Sequence, residues 1–205
     1  MLSFAICHIQ AQSLGMEGRE ETFVADSLFI FGQVVHVLPD QTDLDLAWLE
    51  RGPRNITSGY YIIIRKNQNL LCLYKDGILV KLYPVATGKN REDKDGNEDF
   101  ATPEGHFRLK RVFDSTDWIY VPPDKSGEFK DVYGPWYFSV DVRRNLSFSG
   151  RHWTGIGIHG TNAPASIGQH ISPGCIRLHN RDVRELKQEL DRIGDLNLVQ
   201  LDILP

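Results

Sequence analysis

Between Tyr60 and Lys89 the chain reads YYIIIRKNQNLLCLYKDGILVKLYPVATGK, and this stretch constrains the fold more than any other. Three runs rich in β-branched, aromatic and aliphatic residues are cut by KNQN and by KDG. Each run has the length of a strand and is too short for a stable helix. Asp76-Gly77 tolerates the positive φ angles of a tight hairpin, so LLCLY and ILVKLYPV are expected to pair. The spacing predicts a meander of three antiparallel strands. TPEG then forms the turn into GHFRLKRVF, GIGIHG alternates like a strand ending at Gly160, and LNLVQLDIL reads as a closing strand. Helical periodicity is clear in RDVRELKQELDRIG, where Val183, Leu186, Leu190 and Ile193 define one apolar face. Asn180 is the expected N-cap, Asp182 suits the first turn and Gly194 the C-terminal stop. A mainly β domain from about residue 58 to the end follows.

Composition removes several classes of function. The 205 residues are 41% hydrophobic and 24% charged, as in a globular protein with a core that needs no covalent staples. A net charge of -4, with no basic stripe, gives no electrostatic case for nucleic acid. No apolar run is long enough for a transmembrane helix. Cys7, Cys72 and Cys175 are odd in number and form no CxxC pair, which argues against a thiolate-rich zinc site. Cys72, inside LLCLY, is expected to be a small buried hydrophobe. Residues 89–99, KNREDKDGNED, read as a solvated loop whose Asp and Gly spacing does not match a calcium-binding EF-hand.

The N-terminal quarter is less legible. Residues 1–19 begin apolar and turn polar near Ala11, like the end of a secretory signal, yet carry no Lys or Arg before Arg19. They are read as a signal remnant or a flexible N-terminus. Residues 20–57 are an extension of unknown type, with SLFIFGQVVHVL as a strand or hairpin and DLDLAWLERG as a short helix. Residues 114–137, with Trp118, Trp136 and three tyrosines, look like a long loop or small lobe. Such a segment serves as a lid or binding wall, or anchors itself to the core through its aromatics.

The chemistry-bearing residues concentrate in IHGTNAPASIGQHISPGCIRLHN, residues 158–180, with His159, His170, His179 and Cys175. A zinc site built from these four fits no common ligand spacing. A cysteine nucleophile needs a nearby imidazole or backbone N–H groups, and His159 at a strand end can meet a loop cysteine. Gly174 removes bulk beside the sulfur. Arg177 shares a side with Cys175 in an extended segment and offers a two-pronged carboxylate contact. By spacing alone, an ordinary turn between strands is the stronger reading.

The residues themselves go further. IHGT, then SPGCIRLHNRDVREL, resembles the signature of the L,D-transpeptidase catalytic domain, the YkuD-like family of peptidoglycan-remodelling enzymes. The 60–89 stretch is similar to the family's first strands, and ATPEGHFRL to its TPxGxF element, so the resemblance covers about residues 60 to 203 in order. It implies a YkuD-like β-sandwich of mixed sheets with one principal helix after the catalytic cysteine, occupying residues 58–205. It implies Cys175 as nucleophile and His159 as general base and later acid. Gly174 and Cys175 would supply oxyanion N–H groups, Ser172 and Gly160 would shape the site, and Arg177 and Thr161 would contact substrate. The implied substrates are peptidoglycan stem tetrapeptides, with a second stem, a lipoprotein lysine or water as acceptor, and no metal or cofactor. Water as acceptor makes an L,D-carboxypeptidase, and a catalytically silent wall-binding domain is the reading from another class. Peptidoglycan implies a periplasmic or cell-surface location.

Two departures from the family pattern stand out. Pro173 occupies the place where many members have His, and no LysM-type wall-binding module is found. His170 and His179 match no family role and are read as loop or surface residues.

Overall fold

The structure, a computed structural model, describes residues 26–30, 33–37, 58–122 and 124–205. In the N-terminal extension β1 (Asp26–Ile30) and β2 (Gln33–Val37) form an antiparallel hairpin, as SLFIFGQVVHVL predicts. The signal reading of residues 1–19 and the short helix expected at DLDLAWLERG lie outside the described residues.

The meander forms as the turn chemistry requires. β3 (Tyr60–Arg65), β4 (Leu70–Lys75) and β5 (Ile78–Pro84) run antiparallel. Asp76 and Gly77 adopt φ of 52° and 78°, the left-handed pair of a two-residue hairpin turn. Asp76 also accepts the Gly59 N–H through Oδ1 at 2.7 Å. Downstream come β6 (Thr87–Gly88), β7 (Gly105–Asp114), β8 (Ile119–Tyr120), β9 (Phe129–Lys130) and β10 (Trp136–Val140). β11 (Gly157–His159), β12 (His170–Ser172), β13 (Ile176–Arg177), helix α1 (Asn180–Leu190) and β14 (Gln200–Leu204) complete the chain.

One eight-stranded mixed sheet carries the order β13-β11-β10-β7-β14-β3-β4-β5. β14 lies parallel to β3, and β11 parallel to β13. Just past β5, Ala86 pairs with Arg177 of β13 through two N–H···O bonds of 2.9 Å. This bridge joins the two ends of the strand order, so the sheet curls around one core. Ile62, Ile64, Leu71 and Leu73 meet Leu109, Phe138, Ile158 and Ile176 there, all essentially inaccessible to solvent. Burying each such side chain contributes roughly 1.5–3 kcal/mol.

Helix α1 lays Val183, Leu186 and Leu190 onto this core, and Ile193 packs at its edge. A 3-10 turn, Asp191–Ile193, follows and ends at Gly194 with φ of 77°, the stop that the sequence predicts. The N-terminal cap differs from expectation. His179 precedes the first turn without a side-chain cap, and Asn180 is already helical. The Asn180 carboxamide turns away to accept the Thr161 N–H at 2.8 Å, a bond across chain segments that outweighs local capping.

The expected solvated loop is exposed over most of its length, but two of its charges turn inward. Lys94 is buried and donates to Asp99 at 2.6 Å, while Asp99 accepts the N–H groups of Asp95, Gly96 and Ala101. Partial burial works against the Asp99 charge, but these four bonds outweigh it and hold the carboxyl at about 2. Fully buried Lys66 bonds Glu104 at 2.7 Å and the Glu92 carbonyl at 2.8 Å. Lys94 and Asp99 thus form an internal pair, while Lys89, Arg91, Glu92, Asp95 and Glu98 stay exposed. The loop backs the segment that carries Cys175, its Lys89 N–H bonding the Ser172 carbonyl at 2.9 Å.

Candidate active site

Strand register assembles the site. His159 of β11 stands opposite Arg177 of β13, so in the parallel pair Cys175 falls level with Gly157. His159 also stands opposite Tyr137 of β10. Alternation along each strand therefore puts Cys175, Arg177, His159 and Tyr137 on one face. Gly157 lies among them, and a Cβ there would overlap the Tyr137 phenol. The sequence pattern GIGIHG thus serves as a flat floor for a tyrosine as well as a strand.

The imidazole is held from three sides. His159 is 2% exposed, and its Nδ1 lies 2.6 Å from the Gly160 carbonyl oxygen. A carbonyl only accepts, so Nδ1 carries the proton and Nε2 keeps its lone pair. The Tyr137 ring stacks on the imidazole at 5.6 Å and 15°, and Tyr133 meets it edge-on at 5.0 Å. Burial lowers His159 to about 4, aided by the Arg177 charge and opposed by the Gly160 bond. The resting imidazole is neutral.

Cys175 is partly exposed, and its Sγ donates to the Gly155 carbonyl at 3.2 Å. Burial of the sulfur raises its pKa, while the Gly157 N–H, the Tyr137 hydroxyl and the charges of Arg177 and Lys94 pull it down. The net direction is upward, so thiol and imidazole rest as a neutral pair rather than as thiolate and imidazolium. Burial pushes the Tyr137 pKa up as well, so its hydroxyl keeps its proton and donates to Gly155 at 3.2 Å.

The loop before the sulfur is fixed by its own side chains. Ser172 Oγ accepts the Gly174 N–H at 3.0 Å and donates to the Cys175 carbonyl at 2.5 Å. Thr102 donates to the Gly174 carbonyl at 2.9 Å and accepts the Gly88 N–H at 2.8 Å. Gly174 has φ of 136°, and a Cβ would sit 2.8 Å from the Ala101 carbonyl oxygen. Of the two N–H groups expected at the oxyanion, that of Gly174 is therefore already engaged by Ser172.

The other expected residues are placed as follows. Gly160 packs against Gly134 and Asn180, where any side chain would overlap the carboxamide. Thr161 is buried and its hydroxyl accepts the Ala163 N–H at 3.1 Å, so it shapes the turn after His159. Arg177 is half-buried beside Cys175, Tyr120 and Tyr133, and its Nε is buried without a partner among the described residues. Gly155 and Tyr137 also line a groove of about 390 Å³ with Lys110, Arg111, His152 and Trp153. His179 borders α1, and His170 lies on β12. Among the described residues no cluster of three or more His, Cys, Asp or Glu side chains is placed to hold a metal ion.

Sequence reading missed Tyr137, Tyr133 and Thr102. Tyr137 was hidden in the aromatic run GPWYFSV; the glycine pattern 155–157 was its one available signal. The 114–137 segment does include an aromatic wall, since Tyr133 stands over His159. Its carbonyls at Gly134 and Lys130 accept Ser115 and Asn162 side chains at 2.9 and 3.0 Å.

Cys175, just before β13, and His159 on the neighbouring strand β11 thus share one face of a curled mixed sheet. The sequence profile of the L,D-transpeptidase catalytic domain, YkuD, matches residues 59–195, and the chain belongs to that family. Over 130 residues it is 38% identical to the YkuD protein of Bacillus licheniformis, covering 63% of this chain and 59% of that one. It is 32% identical over 130 residues to the YqjB protein of Bacillus subtilis, covering 63% and 65%. The chain thus spans about 59–65% of the length of these relatives. The helical cell shape determining protein of Campylobacter jejuni has the same fold, with a TM-score of 0.50 at 24% identity over 77% of this chain and 54% of that one. L,D-transpeptidase 3 of Mycobacterium tuberculosis aligns with a TM-score of 0.50 at 14% identity, covering 72% and 61%.

Proposed function

We propose that residues 58–205 form the catalytic domain of a peptidoglycan L,D-transpeptidase with Cys175 as nucleophile and His159 as its base. The observation that carries this reading is the His159 Nδ1–Gly160 contact, which leaves Nε2 as a proton acceptor on the face shared with Cys175. As Sγ attacks the carbonyl on the L-centre of the third residue of a stem tetrapeptide, its proton passes to Nε2. Collapse of the tetrahedral intermediate breaks the C–N bond, and the imidazolium returns that proton to the departing D-Ala amine. The product is a thioester on Cys175. An acceptor amine then attacks the thioester, Nε2 takes its proton, and the thiol leaves with it.

The oxyanion needs donors close to Sγ. With the Gly174 N–H engaged, we assign to it the Cys175 N–H and the Tyr137 hydroxyl, whose rotatable O–H turns from the Gly155 carbonyl to the oxyanion as charge develops. One such donor is worth about 3–4 kcal/mol of barrier. Because His159 and Tyr137 form a registered pair on adjacent strands, base and donor are preorganised together. The unpartnered Arg177 Nε supports recognition of a substrate carboxylate, and Lys110 and Arg111 make the adjoining groove suited to anionic peptide. A second stem, a lipoprotein lysine or water serves as acceptor, and action on the wall places the enzyme in the periplasm or at the cell surface. Mass spectrometry of muropeptides after incubation tests the reading. Crosslinked dimers support transfer, tripeptides alone convert it to an L,D-carboxypeptidase, and an unchanged profile overturns it.

A further inference from the structure

A ring of three side chains stands behind the nucleophile loop. Asn69, in the turn between β3 and β4, lies 3.0 Å from the Gly168 carbonyl and 3.1 Å from His170 Nε2, both through Nδ2. Thr87 Oγ1 donates to Asn69 Oδ1 at 3.0 Å and lies 2.9 Å from His170 Nδ1. The proton positions follow from donor chemistry. The Gly168 carbonyl accepts only, so it faces the amide nitrogen of Asn69. That nitrogen has no lone pair, so His170 Nε2 accepts. Nδ1 then carries the proton and donates to Thr87, whose own proton goes to Asn69. The ring closes only with a neutral imidazole, since an imidazolium would direct N–H at the Asn69 amino group.

The ring's location gives it a mechanical role. Thr87 and Asn69 are buried, and β6 and β12 form a ladder of two rungs, His170↔Thr87 and Ser172↔Gly88, with a register shift between them. So short a ladder is weak by itself. Ser172, at its far end, is the residue whose hydroxyl clamps Gly174 and Cys175. Pro173 has no N–H to add. Restraint on the sulfur-bearing turn therefore comes from Ser172, from Thr102 and from whatever fixes β12.

We propose that His170 is a positioning residue: its neutral imidazole, ringed with Asn69 and Thr87, locks β12 and so sets the attitude of the Cys175 turn. The turnover arm of the test rests on the transpeptidase reading, but the thiol arm does not. In the purified full chain, iodoacetamide labelling of Cys175 is followed by peptide mass spectrometry, beside kcat and KM for D-Ala release from tetrapeptide muropeptides. His170→Ala is expected to lower both the labelling rate and kcat roughly tenfold, with KM within about twofold, the scale of one lost buried hydrogen bond. His170→Asn, which restores a donor toward Thr87, is expected to recover a substantial part of both. The double variant Asn69→Ala/His170→Ala is expected to match the worse single variant, because both break one ring. Labelling and kcat within twofold of the parent protein in a folded His170 variant, with only the melting temperature lowered, overturns the proposal. So do multiplicative effects in the double variant. If His170→Ala does not fold, His170→Asn against Asn69→Ala decides the same question. Absence of D-Ala release by the parent protein removes the transpeptidase reading and leaves the labelling comparison to judge His170.

Discussion

His159 Nδ1 lies 2.6 Å from the carbonyl oxygen of Gly160, the next residue in the chain. A backbone acceptor here orients the base without adding a charge. A carboxylate in the same place would stabilise imidazolium and raise the histidine's pKa. With a carbonyl and deep burial, His159 instead sits at about 4, below the ordinary 6.5.

The sign of the resulting pH dependence is fixed. The unfolded chain binds a proton at His159 below about 6.5 and the folded chain only near 4, so the unfolded state takes up more protons between those values. Stability should fall as pH drops through this window. Thermal unfolding from pH 7 to 4 should show a declining melting temperature, and His159→Gln should flatten that decline. A variant with the parent slope would show that His159 is not the buried neutral base.

The thiol rests protonated. Burial of the sulfur raises the Cys175 pKa, so iodoacetamide labelling should keep accelerating into the alkaline range instead of reaching a plateau near neutrality. Cys72, fully buried and pushed up to about 12, should label far later. A neutral-pH plateau for Cys175 would indicate a preformed thiolate and contradict the neutral pair.

Tyr137 touches three parts of the site: the imidazole face, the Gly155 carbonyl and the thiol. Tyr137→Phe keeps the ring stack and removes the hydroxyl. Steady-state kinetics should show kcat lower by roughly 10²–10³, the usual loss for one oxyanion donor, with KM little changed. An unchanged kcat would leave the Cys175 N–H as sufficient.

Gly174 is required by both conformation and space. Gly174→Ala places a side chain at φ of 136° and 2.8 Å from a backbone oxygen of Ala101. The cost should be about 1–3 kcal/mol of stability from backbone strain, with the thiol displaced as the turn shifts. Calorimetry and Cys175 labelling should both move; a change in only one would separate the turn from the sulfur's position.

The meander, closing strand and helix were legible because each is encoded locally. Asp76-Gly77 makes a turn whatever surrounds it, and Val183, Leu186 and Leu190 mark a buried face by their spacing alone. Cys175 and His159 emerged from a motif, with the family match supplying what spacing could not. What stayed hidden depends on partners distant in sequence. Asn180 looked like a cap because its pull toward Thr161 exists only once two loops meet. Lys94 and Asp99 counted as surface charges because composition does not say which charges pair inside. His170 looked incidental because Asn69 and Thr87 lie 101 and 83 positions away.

The central claim is tested most directly by release of D-Ala from purified tetrapeptide muropeptides, comparing the parent protein with Cys175→Ala. The account predicts release by the parent and none above background by Cys175→Ala, with the variant's melting temperature close to the parent's. Undiminished release by Cys175→Ala would contradict it.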